Sequence, residues 1–364
     1  MQIGGIRGPA RRIALLLFAI VLLGAGRSAP SSLPLGYPPL PVPTANPPTL
    51  AKRELGRQLF FERRLSADGT LSCADCHKPE HEFSDAVPIS RGVFGRHGVR
   101  KTPSLLNVGY QPVLMWDGRA PDLERQIRHP LTGYNEMAMT EASAVTALAS
   151  DSRYQALFTA AFGNPEITVD RIGQAIATFE RATLIRSSPF DRFILEGDAR
   201  TISAAAQRGW RVFQAKGCIT CHFFEAGNPF FTDFQFHNTG VGFDTQKPDL
   251  GLYYTTMRLE DRGKFKTPSL IGVAERAPYM HDGRFQTLRQ VIDYYDRGGT
   301  PNPFLDGQLK PLGLTEAQKS DLIALLKALS PEGTSEPPDR DRQVGPATEG
   351  DNSDRKTVDR ARHQ

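Results

Sequence analysis

The sequence has few cysteines, no hydrophobic run long enough to cross a membrane, and no strong excess of either charge. Four cysteines in 364 residues are too few for the disulfide framework of a small secreted protein. The apolar run at residues 13–23 has 11 residues, whereas a transmembrane helix needs about 20. With 44 basic and 40 acidic residues, the chain carries a formal net charge of only +4. This balance gives no indication of a nucleic-acid partner.

Both ends of the chain differ in composition from its middle. Three arginines precede the short apolar run and small residues follow it, which is typical of a cleavable secretory signal over residues 1–26. We therefore expect export to the periplasm and no membrane anchor after cleavage. Residues 27–48 are rich in proline and predict an extended linker. Residues 331–364 are polar and charged and predict a disordered tail.

The middle of the chain contains one block twice. Both copies begin with a CxxCH motif, and both continue with a 19-residue segment that opens with KTPSL and closes with DGR. The copies are CADCH (73–77) with KTPSLLNVGYQPVLMWDGR (101–119), and CITCH (218–222) with KTPSLIGVAERAPYMHDGR (266–284). Agreement of this length indicates duplication. We expect an N-terminal domain at 49–196 and a C-terminal domain at 197–330.

Apolar residues at helical spacing predict a mainly α fold. The predicted helices lie at 51–61, 140–162, 168–185, 203–215 and 315–329, and the last of them opens with Thr315 and Gln318 in capping-box positions. Long loops rich in glycine and proline connect the helices. A domain of about 140 residues with so much loop requires a large group at its centre.

All four cysteines lie in CxxCH motifs, and cysteine pairs of this kind occur in three kinds of site. A zinc site needs four ligands close together, and 141 residues separate the two pairs. A thioredoxin-like pair needs a βαβ context and no adjoining histidine. Haem c accounts for every residue, because the thiols add to the vinyl groups and the histidine binds the iron. We predict two cytochrome-c-like domains, each around one covalently attached haem, with Cys73, Cys76, Cys218 and Cys221 as attachment sites and His77 and His222 as axial ligands.

Several further segments carry a family resemblance. The stretches LFFERRLSADGTLSCADCH (59–77), NEM (135–137), FHNTGV (236–241) and APYMHDG (277–283) resemble the bacterial dihaem cytochrome c peroxidases, together with the repeated segments. The resemblance implies a periplasmic protein whose N-terminal haem reacts with hydrogen peroxide. Its C-terminal haem would receive electrons from a small donor protein, a cytochrome c or a cupredoxin. Homodimers are common in the family, and the sequence leaves the oligomeric state open.

Three catalytic residues follow from the resemblance. The distal acid-base glutamate falls on Glu136 and the distal glutamine on Gln126. Independently, cleavage of an O–O bond needs a proton moved from one oxygen to the other, which a carboxylate can do. The tryptophan between the haems falls on Trp116, which we interpret as an electron relay. A core aromatic is the alternative, because His281 replaces it in the second repeat.

The sequence departs from the family pattern at three positions. Val93 stands where many members carry a histidine that caps the resting N-terminal iron, and the nearby His97 is the alternative ligand. Lys101 stands at a calcium-binding asparagine, and an ammonium cannot coordinate a cation, which argues against calcium. Tyr295 lies 14 residues after His281, where ordinary peroxidases have a methionine ligand and MauG-like members have tyrosine. We predict that Tyr295 binds the second iron.

Three functions are therefore compatible with the sequence. The first is peroxide reduction of the cytochrome c peroxidase type. The second is MauG-like, peroxide-dependent oxidation of side chains in a partner protein. The third, from another class, is a dihaem electron carrier without catalysis, in which both irons carry two protein ligands.

Overall fold

The computed structural model describes residues 36–183, 187–225 and 227–332. The expected signal (1–26), the start of the expected linker and almost all of the expected tail lie outside these described residues. Within them, no helix has the length and apolar character needed to cross a membrane.

The fold is mainly α, as the sequence predicts. The α-helices are α1 Leu50–Phe60, α2 Cys73–Cys76, α3 Leu123–Gln126, α4 Arg128–Thr132, α5 Glu141–Ala149, α6 Ser152–Phe162, α7 Val169–Thr183, α8 Pro189–Asp191, α9 Ala204–Ala215, α10 Tyr253–Thr256, α11 Leu288–Asp296 and α12 Glu316–Ala328. Single helical turns lie at Arg63–Leu65, Pro79–His81, Val93–Gly95, Val108–Tyr110, Arg192–Glu196, Cys218–Thr220, Leu259–Asp261 and Val273–Glu275. Strands β1 Phe236–His237 and β2 Phe265–Lys266 pair antiparallel, with Phe236 opposite Lys266.

All five predicted helices form within the described residues, with one difference; the predicted end of one of them, at 184–185, lies outside the described residues. The segment predicted as a helix over 140–162 is divided into α5 and α6, because the side chain of Asp151 accepts a hydrogen bond from Arg153 N at 2.9 Å and starts a new helix. The capping box of α12 forms as predicted: Thr315 N donates to Gln318 Oε1 at 2.9 Å, and Gln318 N donates to the Thr315 hydroxyl at 3.2 Å.

Each half of the chain is built on one pair of crossed helices. Helix α1 packs on α7 in the first half, and α9 packs on α12 in the second half. Both crossings need a glycine: a Cβ on Gly56 would lie 1.9 Å from Ala175 O, and a Cβ on Gly209 would lie 2.1 Å from Asp321 O. In each half, the first helix of the pair precedes the CxxCH motif in the chain.

The two DGR segments also share one conformation, and each contacts the opposite half. Met115 and Met280 occupy equivalent positions, and both have positive φ angles, 69° and 75°. Lys101 N donates to His281 O at 2.7 Å, and Lys266 N donates to Trp116 O at 2.9 Å. The start of each repeated segment is thus hydrogen-bonded to the end of the other one.

The hydrophobic core is continuous through both halves, so that Phe60 of α1 and Leu325 of α12 belong to one buried cluster. The second half of the expected linker differs from the prediction, because residues 36–48 pack against this body. Tyr37 is buried, and its ring centroid lies 6.0 Å from that of Tyr110 and 5.3 Å from that of Phe230. The domain boundary at residues 196 and 197 stays a prediction.

Candidate functional site

The first CxxCH motif forms a short helix with an oriented histidine. Helix α2 is capped by Ser72, whose N–H and hydroxyl both donate to Asp75 Oδ2, at 2.8 and 2.7 Å. His77 follows the helix, and its Nδ1 lies 3.0 Å from Phe83 O. A proton on Nδ1 satisfies that carbonyl and leaves Nε2 as the free lone pair, which is the arrangement of a metal-binding histidine.

The second motif has the same local geometry. Cys218–Thr220 forms a single turn, and His222 N donates to Cys218 O at 3.0 Å. The Nδ1 of His222 lies 3.0 Å from Phe231 O, which again leaves Nε2 free. Burial lowers the pKa of both motif histidines, so that both rings are neutral and able to bind a metal.

The cysteines fit neither a redox pair nor a zinc site. All four thiols are free, and burial raises the pKa of Cys73 to about 12 and that of Cys218 to about 11. A thiol-disulfide motif requires a lowered pKa instead. The one group of possible metal ligands among the described residues is Cys221, Asp233 and His237, which contains a single cysteine. The ring of His237 lies between the carboxylates of Asp306 and Asp233. Hydrogen bonding, with that to Asp233 as the largest contribution, raises the pKa of His237 to about 11.

A cavity of about 270 Å³ joins the first motif to the predicted catalytic residues. Cys73, Cys76 and His77 line it, together with Trp116, Gln126 and Glu136. Cys76 and Glu136, which are 60 positions apart in the sequence, thus line the same cavity. The second CxxCH motif does not line this cavity.

Glu136 is held by its backbone between two loops. Its N–H donates to Gly133 O at 2.9 Å, and its carbonyl accepts from Val93 N at 2.9 Å. Gly92 permits this contact, because a Cβ there would lie 2.0 Å from Asn135 O. Burial raises the pKa of the Glu136 carboxyl, while the positive charge of Arg119 opposes the shift.

The two other predicted catalytic residues lie on separate elements. Gln126 ends α3, and its amide Nε2 lies 3.6 Å from Met115 Sδ. The indole Nε1 of Trp116 donates to Lys101 O at 2.8 Å. Its ring meets that of His281 at 67°, with 6.4 Å between the centroids.

Neither Val93, at the family's position for a capping histidine, nor the nearby His97 lines the cavity. Val93 is fully buried and packs beneath the Glu136 backbone. His97 is exposed and does not line the cavity, although the adjacent Gly98 does. We therefore interpret His97 as a loop residue.

Two adjacent tyrosines at the end of α11 have different environments. The Tyr294 hydroxyl donates to Thr239 O at 2.8 Å, so that its oxygen is already engaged. None of the described residues forms a hydrogen bond with the Tyr295 hydroxyl. Burial raises the pKa of Tyr295, and the thiols of Cys221 and Cys218 are near enough to raise it further. Of the two, Tyr295 is therefore the one whose oxygen is available beside the second motif.

Comparisons with known proteins give one consistent family. A family model described as di-haem cytochrome c peroxidase matches residues 50–200. MauG, a methylamine utilization protein of Methylorubrum extorquens, is 40% identical over 298 residues, covering 80% of this chain and 82% of the relative. Cytochrome-c peroxidase IdrP1 of Denitromonas iodatirespirans is 34% identical over 356 residues, covering 88% and 92%. This chain belongs to the dihaem cytochrome c peroxidase and MauG family.

The fold of the family is confirmed by a solved structure. A MauG-like protein associated with microbial copper homeostasis superimposes with a TM-score of 0.76 at 34% identity, covering 85% of this chain and 97% of that protein. Membership of the family implies two c-type haems. The relatives include both cytochrome-c peroxidases and MauG proteins.

The residues of the first site fit a haem. Two thiols and a neutral histidine with a free Nε2 lie at one cavity, as covalent attachment requires. The cavity is also lined by Arg276, whose Nε is buried without a partner among the described residues. A buried guanidinium of this kind suits a ligand that carries carboxylates.

Two titratable residues of this cavity are not among the residues predicted from the sequence. Glu180 on α7 is buried, and burial raises its pKa to about 8. The signal was available, because Glu180 lies one helical turn after Ile176 on the apolar face of the helix, and both line the cavity. Lys266 repeats the position of Lys101, so that the KTPSL repeat is its signal in the sequence.

The position expected to hold calcium in the family does not fit a divalent cation here. The Lys101 side chain is 4% exposed, and its ammonium donates to Asp85 O. The Asp85 carboxylate is engaged by Lys78 at 2.8 Å and by the Ser90 hydroxyl at 2.7 Å. The Lys101 ammonium repels a cation, and the Asp85 carboxylate is already engaged by other side chains, so this position does not offer the oxygen ligands that calcium needs.

Proposed function

We propose that this protein is a periplasmic peroxidase with two covalently attached haem c groups, which reduces hydrogen peroxide in its first half with electrons received through its second half. The observation that carries this proposal is that Glu136 and Gln126 line the same cavity as Cys73, Cys76 and His77. Peroxide and two electrons yield two molecules of water, with the uptake of two protons.

When bound, the haem supplies the iron that binds peroxide and the electrons that reduce it. The carboxylate of Glu136 accepts a proton from one oxygen of the peroxide and returns it to the other oxygen, which departs as water. Burial raises the pKa of this carboxyl toward the working pH, where a general acid-base group is most effective. Gln126 can donate a hydrogen bond from Nε2 and so orient the peroxide.

The second half is proposed to deliver electrons. His222 would bind the iron of the second haem through Nε2, because its Nδ1 is engaged by Phe231 O, and the Tyr295 oxygen would be available as a further ligand. Trp116 and His281 supply an aromatic contact between the halves. A small donor protein would reduce the second haem.

A second candidate function is favoured by Tyr295. A phenolate is a hard anionic donor that stabilises oxidised iron, so that the second haem would be a poor acceptor from ordinary cytochromes. The MauG relative at 40% identity supports this candidate. In this case the electrons would come from side chains of a partner protein, and peroxide would remain the oxidant.

The test combines electron paramagnetic resonance of the resting ferric protein with rapid mixing with peroxide. We expect one high-spin and one low-spin iron, and a fast spectral change without prior reduction, because Val93 cannot ligate the first iron. Two low-spin irons with no response to peroxide would instead identify an electron carrier. Turnover with reduced cytochrome c or cupredoxin separates the first candidate from the MauG-like one, which should consume little of either donor.

A further inference from the structure

Two cations from the second half lie at the cavity of the first half. Lys266 and Arg276 both line this cavity, although they belong to the second repeat. The Lys266 side chain is 7% exposed, and Arg276 Nε is buried without a partner. Burial lowers the pKa of Lys266 to about 7 and that of Arg276 to about 10.

The hydrogen-bond partners of both cations are neutral. Lys266 Nζ donates to Gln111 Oε1 and to Val113 O, the latter at 2.8 Å. Arg276 Nη2 donates to Ser269 O at 2.6 Å. Among the described residues, no aspartate or glutamate forms an ion pair with either of them.

Two other arginines of the same cavity form ion pairs with carboxylates, and a third, Arg91, is exposed. Arg100 forms an ion pair with Asp117 at 2.6 Å and with Asp249 at 2.7 Å. Arg119 forms one with Asp117 at 2.8 Å. Lys101 donates to Asp85 O and lies within electrostatic range of the Asp85 carboxylate, which raises its pKa against the effect of burial. Glu82 acts on the pKa of Arg276 in the same direction. Lys266 is therefore distinct because burial alone shifts its pKa, and Arg276 is distinct because its buried Nε has no partner among the described residues.

Buried charges of this kind are costly unless a ligand brings the opposite charge. A haem carries two propionates, and lysine and arginine are the side chains that bind carboxylates. We infer that Lys266 and Arg276 bind the propionates of the haem attached at Cys73 and Cys76. The second half of the chain thus completes the haem site of the first half, and its two positive charges favour the reduced state of that haem.

This inference rests on the proposed haem attachment, which is measured first. Mass spectrometry of the holoprotein gives the number of attached haems. A protein without haem would overturn the proposed function together with the inference. A protein with two haems allows the inference to be tested alone.

The test compares Lys266→Met and Arg276→Met with wild type. We expect the resonance Raman propionate bending bands of the first haem to shift and its midpoint potential to fall, because a propionate loses its counter-charge. Lys266→Arg should restore both. Lys264→Met is the matched control, since Lys264 is partly exposed and pairs with Asp261 at 3.0 Å, and it should change neither readout.

Thermal unfolding of the haem-loaded variants gives a second readout. Replacement of an unpaired buried cation by methionine is expected to be neutral or stabilising, whereas loss of a propionate partner should lower the melting temperature. If Lys266→Met does not accumulate with haem, Lys266→Gln takes its place. Unchanged propionate bands with an unchanged or higher melting temperature, or shifts confined to the second haem, would overturn the inference.

Discussion

Trp116 and His281, which occupy the same position in the two repeats, meet edge to face with 6.4 Å between their ring centroids. The backbone of Lys101 joins them, since its carbonyl accepts from Trp116 Nε1 at 2.8 Å and its N–H donates to His281 O at 2.7 Å. Phe265 stacks on the His281 ring, with 3.6 Å between the ring centroids. The two halves are therefore connected through aromatic rings and through the backbone of one residue.

Replacement of Trp116 by phenylalanine should slow electron exchange between the halves. The variant keeps a ring against His281 but loses the indole and its hydrogen bond, which also costs about 0.5–1.5 kcal/mol of stability. Stopped-flow absorbance after mixing the half-reduced protein with peroxide would measure the exchange.

Trp210 is the control for this substitution, because it is the second of the two tryptophans in the chain. It packs among Phe190, Phe213 and Phe224, within the second half. Trp210→Phe should leave electron exchange unchanged. Equal rates in the two variants would show that Trp116 serves only in packing.

The repeat explains why much of the site could be predicted. Each KTPSL and DGR segment recurs with unchanged spacing, so that equivalent turns at Met115 and Met280 follow from one local sequence. The CxxCH motifs carry their own geometry, because His77 and His222 each bond a nearby carbonyl. Local sequence decides these features.

Contacts between distant segments could not be predicted in the same way. The KTPSL repeat marks the position of Lys266, but only the packing of the halves brings its side chain to Gln111 and the first cavity. Tyr37 lies in a proline-rich stretch that resembles a linker, yet it is buried between Tyr110 and Phe230. Burial of this kind depends on tertiary partners that have no local signature.

Replacement of Glu136 by glutamine should slow the peroxide reaction by roughly 100-fold, the scale for loss of a general acid-base group. Both haems should remain attached, because the side chain does not contribute to attachment. The measurement is the second-order rate of the peroxide reaction by stopped flow.

The rate of the peroxide reaction should depend on pH through the protonation of Glu136. The ionised carboxylate is the form that accepts the proton, and burial raises the pKa of Glu136. The wild-type rate should therefore increase as the pH rises through that pKa, and the increase should vanish in Glu136→Gln. Glu141→Gln, at an exposed residue paired with Arg128, is the control and should keep the wild-type profile. A profile that persists in Glu136→Gln would assign the proton transfer to another group.

Removal of calcium should have no effect on this protein. The ammonium of Lys101 already donates to Asp85 O, so that a chelator has no cation to extract at this point. Incubation with EGTA should change neither the melting temperature nor the peroxide rate. Lys101→Met, in contrast, leaves a buried carbonyl without its donor and should cost about 1–3 kcal/mol. A melting temperature that falls with EGTA and recovers with calcium would contradict this prediction.

Tyr295→Phe should change the low-spin signal of one haem while preserving the fold. The substitution removes the proposed donor oxygen and keeps the ring, and no described residue loses a hydrogen bond. Tyr294→Phe is the matched control, because it removes the bond to Thr239 O and should cost about 1–3 kcal/mol without altering the signal. Electron paramagnetic resonance and thermal unfolding of both variants measure the two effects separately. Since an anionic phenolate stabilises oxidised iron, loss of the Tyr295 oxygen should also raise the potential of the second haem. If the low-spin signal moves in Tyr294→Phe and not in Tyr295→Phe, the ligand is another group, and the MauG-like function loses the observation that favours it.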